Sequence, residues 1–439
     1  MQLQYLNHAL AEAVVALARL AEQHAGRALV VGGAVRDAVL GRVASDIDIE
    51  VYGIQADLLE QLLEERFGVD RVGQSFGILK LKHLDIDVSL PRRESKAGLG
   101  HRGFTVLTDP HMSILDASSR RDFTINSMLF DPLTGELIDP HGGQADLRDG
   151  LLRHTDDESF SEDPLRVLRA AQVAARFDLK VDSYTVQLCR RIPIEGLARE
   201  RLLDEFYKLL VQGVRPSRGL FVLDQTEWLR YFPEIAELQV LLTNGWDYLE
   251  GAWPRTARAL DYFAHTRSDD EREEFIVGLA VLCHGMSDEM TGSFLARLIN
   301  SPTILKPVLA LASEFRSSFT VAFNRPFEDR EIRRIARRVD RFDRFARLAA
   351  CVAVGDSGVA SAPIISAEQR SIELGVHRSA PAPIVLGRHL IALGEKPGRH
   401  FQELLERIFE LQLGGRFDTE EGGIEVAREV ILEARTADR

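Results

Sequence analysis

Over residues 28–53 the chain alternates short apolar runs with glycine-bearing turns. Ala28–Val31 reads as a strand, Gly32–Gly33 as a turn, Val35–Leu40 as a short helix and Ile47–Tyr52 as a second strand. Helical spacing predicts helices near 5–25 and 56–66. Alternation returns at Gly77–Leu81 and Leu84–Leu90, and Asn126–Phe130 with Glu136–Ile138 makes a hairpin around the turn Pro132 to Gly135. From about residue 155 the period turns helical and largely stays so. Glu162–Phe177 is expected as one helix, with Asp163 and Pro164 at its start, followed by helices at Ser183–Arg191 and Leu197–Leu210. Gly213 to Gly219 interrupts the pattern before further helices to about residue 350. Beyond the turn-rich Ser361–Pro363 and Ser379–Pro383, a helix at Phe401–Leu413 closes at Gly414–Gly415. A last helix, Ile424–Ala434, follows a break at Gly422–Gly423. The fold class is therefore α+β, a mixed sheet with helices followed by an all-helical remainder without internal repeats.

Composition narrows the class. The 439 residues are 45% apolar and 28% charged, as in a folded chain with sizeable cores. Cys189, Cys283 and Cys351 lie far apart, without metal-ligand spacing, which suits a reducing, cytoplasmic setting. The first twenty residues read as an amphipathic helix, not a signal peptide, and no run of apolar residues is long enough to span a membrane. The net charge of −13 argues against non-specific coating of nucleic acid. A folded RNA can still be held by a local basic face.

The candidate chemistry gathers in the first third. Asp46 and Asp48 share one face of a strand, because side chains alternate with a period of two. Asp87, in LDIDVSLPR, supplies a third carboxylate from another strand, whereas Asp85 is better read as a strand edge. Such a trio beside a glycine turn suits Mg²⁺ and triphosphate chemistry: two ions orient a 3′-hydroxyl and neutralise a leaving pyrophosphate. Gly32 and Gly33 let the backbone approach phosphates, and Arg36 follows at the start of a short helix. An ordinary strand-to-helix turn with a surface arginine fits the same residues. Arg121 suits a phosphate, Asp122 a ribose hydroxyl or an arginine, and Asn126 a bridge between them, although RRD before a strand is also a common surface pattern.

Taken in order, GGAVRD (32–37), SDIDIEVYG (45–53), DIDVSLPRRESKAGLGHRGF (85–104), RRDFTINSM (120–128), GELIDPHGGQADLRDGLLRHT (135–155) and SEDPLRVLRAAQVAARF (161–177) carry a specific resemblance, with RERLLDEFYKLL (199–210) a weaker addition. The chain resembles the class II tRNA nucleotidyltransferases, the bacterial CCA-adding type closely related to bacterial poly(A) polymerase. The resemblance implies a nucleotidyltransferase head at 1–150, a helical neck at 151–220, a helical body at 221–355 and a helical, tRNA-binding tail at 356–439. It implies Asp46 and Asp48 as catalytic metal ligands with Asp87 as the third carboxylate, for two Mg²⁺ ions (Mn²⁺ as the substitute), with CTP and ATP as substrates and tRNA as partner. Asp163 and Arg166 of EDPLR are then the readers of the incoming base, and Arg169 joins the nucleotide-binding set of Gly32, Gly33, Arg36, Arg121, Asp122 and Asn126. Cytosine and adenine each present an amino group beside an acceptor, which a carboxylate and a guanidinium match. Glu200, Arg201 and Glu205 are expected to support that helix from a neighbour.

Relatives of this kind often carry a metal-dependent HD phosphohydrolase-like body. In AWPRTARALD (252–261) and AVLCHGM (280–286), Arg255 stands where a histidine is expected and His284-Gly285 replaces His-Asp, so the body is read as degenerate. Outside the head, Arg333, Arg337, Arg338 and Arg341 in REIRRIARRVDRFDRFAR (330–347) form a candidate tRNA-facing helix, with a solvated, internally paired helix as the alternative. The basic segment Arg92–Arg102, with Arg93, Lys96 and His101, is expected as a head loop. The leading function is template-independent CCA addition. CC-only or A-only addition, poly(A) synthesis and an inactive RNA-binding relative are the alternatives. No membrane and no obligate protein partner is implied, and monomer or homodimer stays open.

Overall fold

The computed structural model describes residues 8–44, 46–70, 77–96, 104–242 and 255–437. It divides into one unit of residues 1–209 with 218–231, and a second of residues 210–217 with 232–439.

In the first unit, α1 (His8–Gln23) precedes β1 (Arg27–Val31), α2 (Gly33–Val39), β2 (Ile47–Tyr52) and α3 (Ala56–Arg66). The strands β3 (Val69–Asp70), β4 (Ile78–Leu81), β5 (Ile86–Ser89), β6 (Arg92–Lys96) and β7 (Phe104–Thr108) come next, then α4 (Ile114–Ser119), β8 (Leu129–Phe130) and β9 (Leu137–Ile138). Seven strands form one mixed sheet in the order β3-β4-β5-β2-β1-β8-β9. Its centre is β2, antiparallel to β1 and parallel to β5. Ile47, Ile49 and Val51 are buried on one face, while Leu29, Val31, Tyr52 and Leu129 pack with Met112 and Ala117 of the α4 region on the other. Only the first end of β2, at Asp48, stays open to solvent.

The same unit continues with α5 (Gly143–Arg148), β10 (Leu151–Leu152), α6 (Asp157–Glu162), α7 (Leu165–Phe177), β11 (Lys180–Val181), α8 (Ser183–Arg191) and α9 (Arg199–Tyr207), and takes in most of α10 (Pro216–Gln225). The parallel pair β10–β11 brackets α7. In the second unit lie α11 (Pro233–Leu242), α12 (Arg255–His265), α13 (Glu271–Cys283), α14 (Asp288–Leu298), α15 (Pro302–Asn324), α16 (Asp329–Val339), α17 (Phe342–Ser357) and α18 (Ala362–Glu373). Phe315, Phe327, Phe342 and Phe345 meet ring against ring in that bundle. The last helices, α19 (Gly387–Ala392), α20 (His400–Leu413) and α21 (Glu420–Ala437), share a small core around Leu390, Ile408, Phe417 and Val430.

The α+β class is confirmed, and several elements differ from expectation. The helix expected over 162–177 is broken: α6 stops at Glu162, Asp163 is extended (φ −116°), and α7 starts at Leu165. Pro164 is the cause, since its ring disfavours helical geometry at the residue before it. Asp163 and Arg166 therefore do not share a helical face. Arg120–Asp122 precede a short 3₁₀ turn at Thr124–Asn126, and the strand begins only at Leu129. The segment expected as a head loop starts as β6, paired antiparallel with β7. Residues 97–102 of it, His101 included, lie outside the described residues.

The expected break at Gly422–Gly423 is absent, because α21 runs from Glu420 through both glycines. A Cβ on Gly423 would meet the Phe417 ring and a Val385 methyl at 2.8 Å, so this glycine serves close packing. The arginine helix expected over 330–347 is two helices. Asp340 takes φ +65° and Arg341 is extended, which ends α16 and starts α17. The boundary expected at 355 falls within the last turn of α17. In the segment expected to be a degenerate HD-like body, His284 is buried, with Nδ1 2.8 Å from the Val281 carbonyl oxygen and its ring edge-on to Phe315. Burial lowers its pKa, and Arg255 faces Asp356 at 2.9 Å. Residues 252–254 lie outside the described residues. No helix among the described residues is long and apolar enough to cross a membrane.

Candidate active site

Three neighbouring strands build the carboxylate edge. Asp48 is paired in register with Asp87 of β5 on one side and with Val31, the last residue of β1, on the other. In-register residues of a parallel pair point to the same face, so Asp48 and Asp87 stand side by side, and Asp46, in the bend just before β2, is near enough to raise the Asp48 pKa. Asp48 remains exposed at the strand end even though protein packs around most of its carboxylate. Desolvation raises its pKa, Arg121 opposes this, and Asp87 and Asp46 raise it further. Like charges crowded in this way call for a cation. An all-oxygen donor set of this kind fits Mg²⁺ or Mn²⁺. Among the described residues, no three acidic, His or Cys side chains are already drawn together around a metal position, so register brings the trio close without closing it.

Gly32 follows β1 with φ +74°, in the left-handed region that glycine adopts freely. A Cβ there would lie 3.1 Å from Arg121 Nη1 and 3.6 Å from Asp48 Oδ2, so the turn, the arginine and the carboxylate converge. Arg36 on α2 is buried over the Phe177 ring at 4.2 Å and donates to Asn126 Oδ1 at 2.7 Å and to Asp37 at 2.9 Å. Asn126 donates in turn to Asp122 at 2.9 Å, and Arg169 donates to the other Asp122 oxygen at 2.7 Å. The chain Asp37–Arg36–Asn126–Asp122–Arg169 thus joins α2, the 3₁₀ turn and α7. Burial lowers the Arg36 pKa, with Asp37 opposing.

For Asp122, burial alone would raise the pKa, but Arg169, the Asn126 hydrogen bond and Arg166 hold it down to about 2. A folded-state value below the ordinary 3.8 means that the ionised group stabilises the fold at neutral pH. This contribution is present above about pH 4 and is lost as pH falls through about 2. Asp122→Asn is therefore expected to cost about 2 kcal/mol between pH 5 and 7 and about half that at pH 3. Urea unfolding of both proteins at these pH values measures it; a gap independent of pH would reject the linkage.

Before α7, Asp163 accepts from the Leu165 amide at 3.0 Å and from Arg201 of α9 at 2.7 Å. Arg166 donates to the Arg120 carbonyl oxygen at 2.6 Å and to Ser159 at 3.2 Å. The expected support from α9 is thus present as Arg201. Eleven of the twelve expected catalytic and nucleotide-binding residues line one cleft of about 420 Å³, with Arg176 and Arg201 added to them. Asp87 lies outside that lining, on the neighbouring strand beside Asp48. A second cleft of about 930 Å³ shares Asp48, Arg121 and Arg166 with the first and extends past Ser89, Arg92 and Arg120.

Glu50 was missed by the sequence reading. It is fully buried, accepts from Tyr52 Oη at 2.7 Å and Arg120 Nη2 at 2.9 Å, and lies 3.8 Å from Arg121. The signal was available: the period of two that pairs Asp46 with Asp48 continues through Glu50 to Tyr52. The candidate tRNA-facing arginines lie in the second unit, engaged with acidic partners. Arg337 donates to Glu410 at 2.6 Å, pairs with Glu406 and stacks on Phe409. Arg338 pairs with Glu314 at 2.7 Å, and Arg341 with Asp343 and, at 3.3 Å, Glu273. Arg333 helps to hold the Asp329 carboxyl below its ordinary value, after the larger effect of Arg370.

Residues 28–153 match the poly A polymerase head domain model. The chain is 39% identical over 214 residues to a multifunctional CCA protein of Chromobacterium violaceum, covering 48% of this chain and 51% of the relative. A protein of the same name from Stenotrophomonas maltophilia is 40% identical over 219 residues, covering 48% and 52%. The chain thus spans about half the length of the curated relatives it matches. The crystal structure of the Bacillus stearothermophilus CCA-adding enzyme with CTP superposes with a TM-score of 0.72 at 21% identity, over 97% of both chains. That of the Thermotoga maritima CCA-adding enzyme with tRNA superposes with 0.62 at 21% identity, over 98% of this chain and 97% of that one. The carboxylate edge and the glycine turn therefore lie within the stretch that matches the poly A polymerase head domain model, Asp163, Arg166 and Arg169 of the same cleft lie just beyond it, and the chain has the fold of the CCA-adding enzymes.

Proposed function

We propose that this protein is a tRNA nucleotidyltransferase that adds CCA to the tRNA 3′ end, using CTP and ATP and releasing pyrophosphate. The observation that carries the reading is the meeting of two clefts at Asp48, one bearing the glycine turn and Asp163–Arg166, the other extending past Ser89 and Arg92. A transfer reaction needs room for a nucleotide and an acceptor on either side of one catalytic edge. Asp46, Asp48 and Asp87 would hold Mg²⁺, which when bound neutralises phosphate charge and acidifies the attacking 3′-hydroxyl. Gly32 and Arg121 orient the triphosphate, and Asp122 and Asn126 hold the ribose side through Arg169 and Arg36. Asp163, set by Arg201, accepts from the exocyclic amino group of the base, and Arg166 donates to its ring or carbonyl acceptor.

In this reading residues 1–150 form the head, 151–220 the neck, 221–355 the body and 356–439 the tail of a cytoplasmic enzyme. CC-only addition, A-only addition and poly(A) synthesis draw on the same head residues. The test is primer extension on tRNAs ending at the discriminator base, C or CC, with Mg²⁺ and CTP, ATP or both, resolved at single-nucleotide length. Ordered addition that stops after CCA supports the proposal. Addition of only CC or only A reassigns it to half of the reaction, and a long A ladder on unrelated RNA makes it a poly(A) polymerase.

Arginines already matched by Glu314, Glu406 and Glu410 offer little net attraction to phosphate. Arg337→Ala is expected to lower stability by at most about 1 kcal/mol and to change tRNA affinity less than about threefold. A tenfold loss, with a flatter dependence on salt in a binding titration, would instead make this face an RNA contact.

A further inference from the structure

We infer that Glu50 is a positioning residue that ties the carboxylate strand to the arginines on both sides of the nucleotide, setting Arg121 and Arg166 in place before a nucleotide arrives. The inference rests on the nucleotide-transfer reading above. Along β2 the face that carries Asp48 continues inward through Glu50 to Tyr52, and Ala117 of α4 covers that inner stretch with Met112, which precedes the helix. Arg120 caps the end of α4, directly beside the buried carboxylate.

Both Glu50 oxygens are used. Oε2 accepts from the Tyr52 hydroxyl, and Oε1 accepts from Arg120 Nη2 and stands 3.8 Å from Arg121 Nη2. The Arg120 carbonyl oxygen then accepts from Arg166 at 2.6 Å. One carboxylate thereby anchors consecutive residues, of which Arg121 reaches the glycine turn beside Asp48 and Arg120 receives the base-side arginine. Stability alone gives no reason for a carboxylate here. Apolar residues in place of a buried ion pair are often neutral or stabilising, and Leu29, paired directly opposite Glu50 on the same face, is fully buried there. A charge that fixes two guanidinium groups in a cleft gives a reason, because a pre-set donor does not have to be ordered when its ligand binds.

Glu50→Gln keeps the shape and removes the charge, and Tyr52→Phe removes only the hydroxyl that orients the carboxylate. In Mg²⁺, equilibrium affinity for CTP and ATP is expected to fall about tenfold in Glu50→Gln and about twofold in Tyr52→Phe. In primer extension the nucleotide KM rises by a similar factor while kcat falls less than about threefold, and UTP incorporation relative to CTP rises about fivefold. Thermal unfolding checks that each variant is folded.

A folded Glu50→Gln protein with unchanged nucleotide affinity and selectivity overturns the inference, as does a uniform loss of kcat at unchanged KM. Should Glu50→Gln not fold, unchanged affinity and selectivity in Tyr52→Phe overturns it equally. Wild-type protein that binds CTP without extending tRNA overturns the transfer reading alone, and the variant affinities still decide the role of Glu50. Wild-type protein that binds no nucleotide overturns both.

Discussion

Asp48→Ala is expected to lose at least about a thousandfold in nucleotide transfer while tRNA affinity stays within about threefold. Asp48 is flanked in register by Asp87 and by the end of β1, and Gly32 and Arg121 close over it from the turn. It is the expected metal ligand that lines both clefts. Charge stabilisation by a correctly held metal is worth several kcal/mol in the transition state, and each 1.36 kcal/mol is a factor of ten in rate, so about 4 kcal/mol gives the stated loss. Asp48→Asn, which keeps the shape, should be nearly as poor, since its amide cannot replace the charge. Single-turnover extension of a tRNA ending in CC, beside filter binding of the same tRNA, separates chemistry from binding. Turnover within tenfold of the wild type would remove the metal assignment from this strand.

The second large effect is on selectivity. Arg166→Ala is expected to cut the preference for CTP over UTP, and for ATP over GTP, by about 10- to 100-fold, with tRNA affinity nearly unchanged. A good bidentate base contact is worth about 1–3 kcal/mol of discrimination. Asp163 and Arg166 stand at the mouth of α7 in the same cleft as the glycine turn, and Arg201 fixes Asp163 while the Arg120 carbonyl fixes Arg166. Rigid donors and acceptors reject the wrong edge, because a mismatched base leaves them unpaired. Competition between paired nucleotides in primer extension reads the ratio directly. An unchanged ratio would place base recognition elsewhere in the cleft.

The sequence by itself determined the head. Strand β2 and helix α3 appear at their expected residues and β1 nearly so, because their patterns are local and strong. Eleven of the twelve expected site residues line one cleft, since their motifs sit on locally well-marked turns, strand ends and the first turns of helices. The sequence also marked Arg255 and His284-Gly285 as a departure in the body, where His284 proves to be a buried core side chain.

Tertiary structure decided what depends on residues far apart in the chain. That Asp87 stands beside Asp48 follows from the parallel register of β2 and β5, which no local pattern encodes. Whether Gly422–Gly423 ends a helix or lets one pass close to Phe417 depended on a packing partner. The arginines around 337 read as a basic stripe until the fold brought Glu406, Glu410 and Glu314 against them. Glu50 is the clearest case. Its place on the strand face follows from a period of two, but its burial and its grip on Arg120 and Arg121 exist only because α4 packs across β2. Periodicity fixes which way a side chain points; only the folded neighbours fix what it meets.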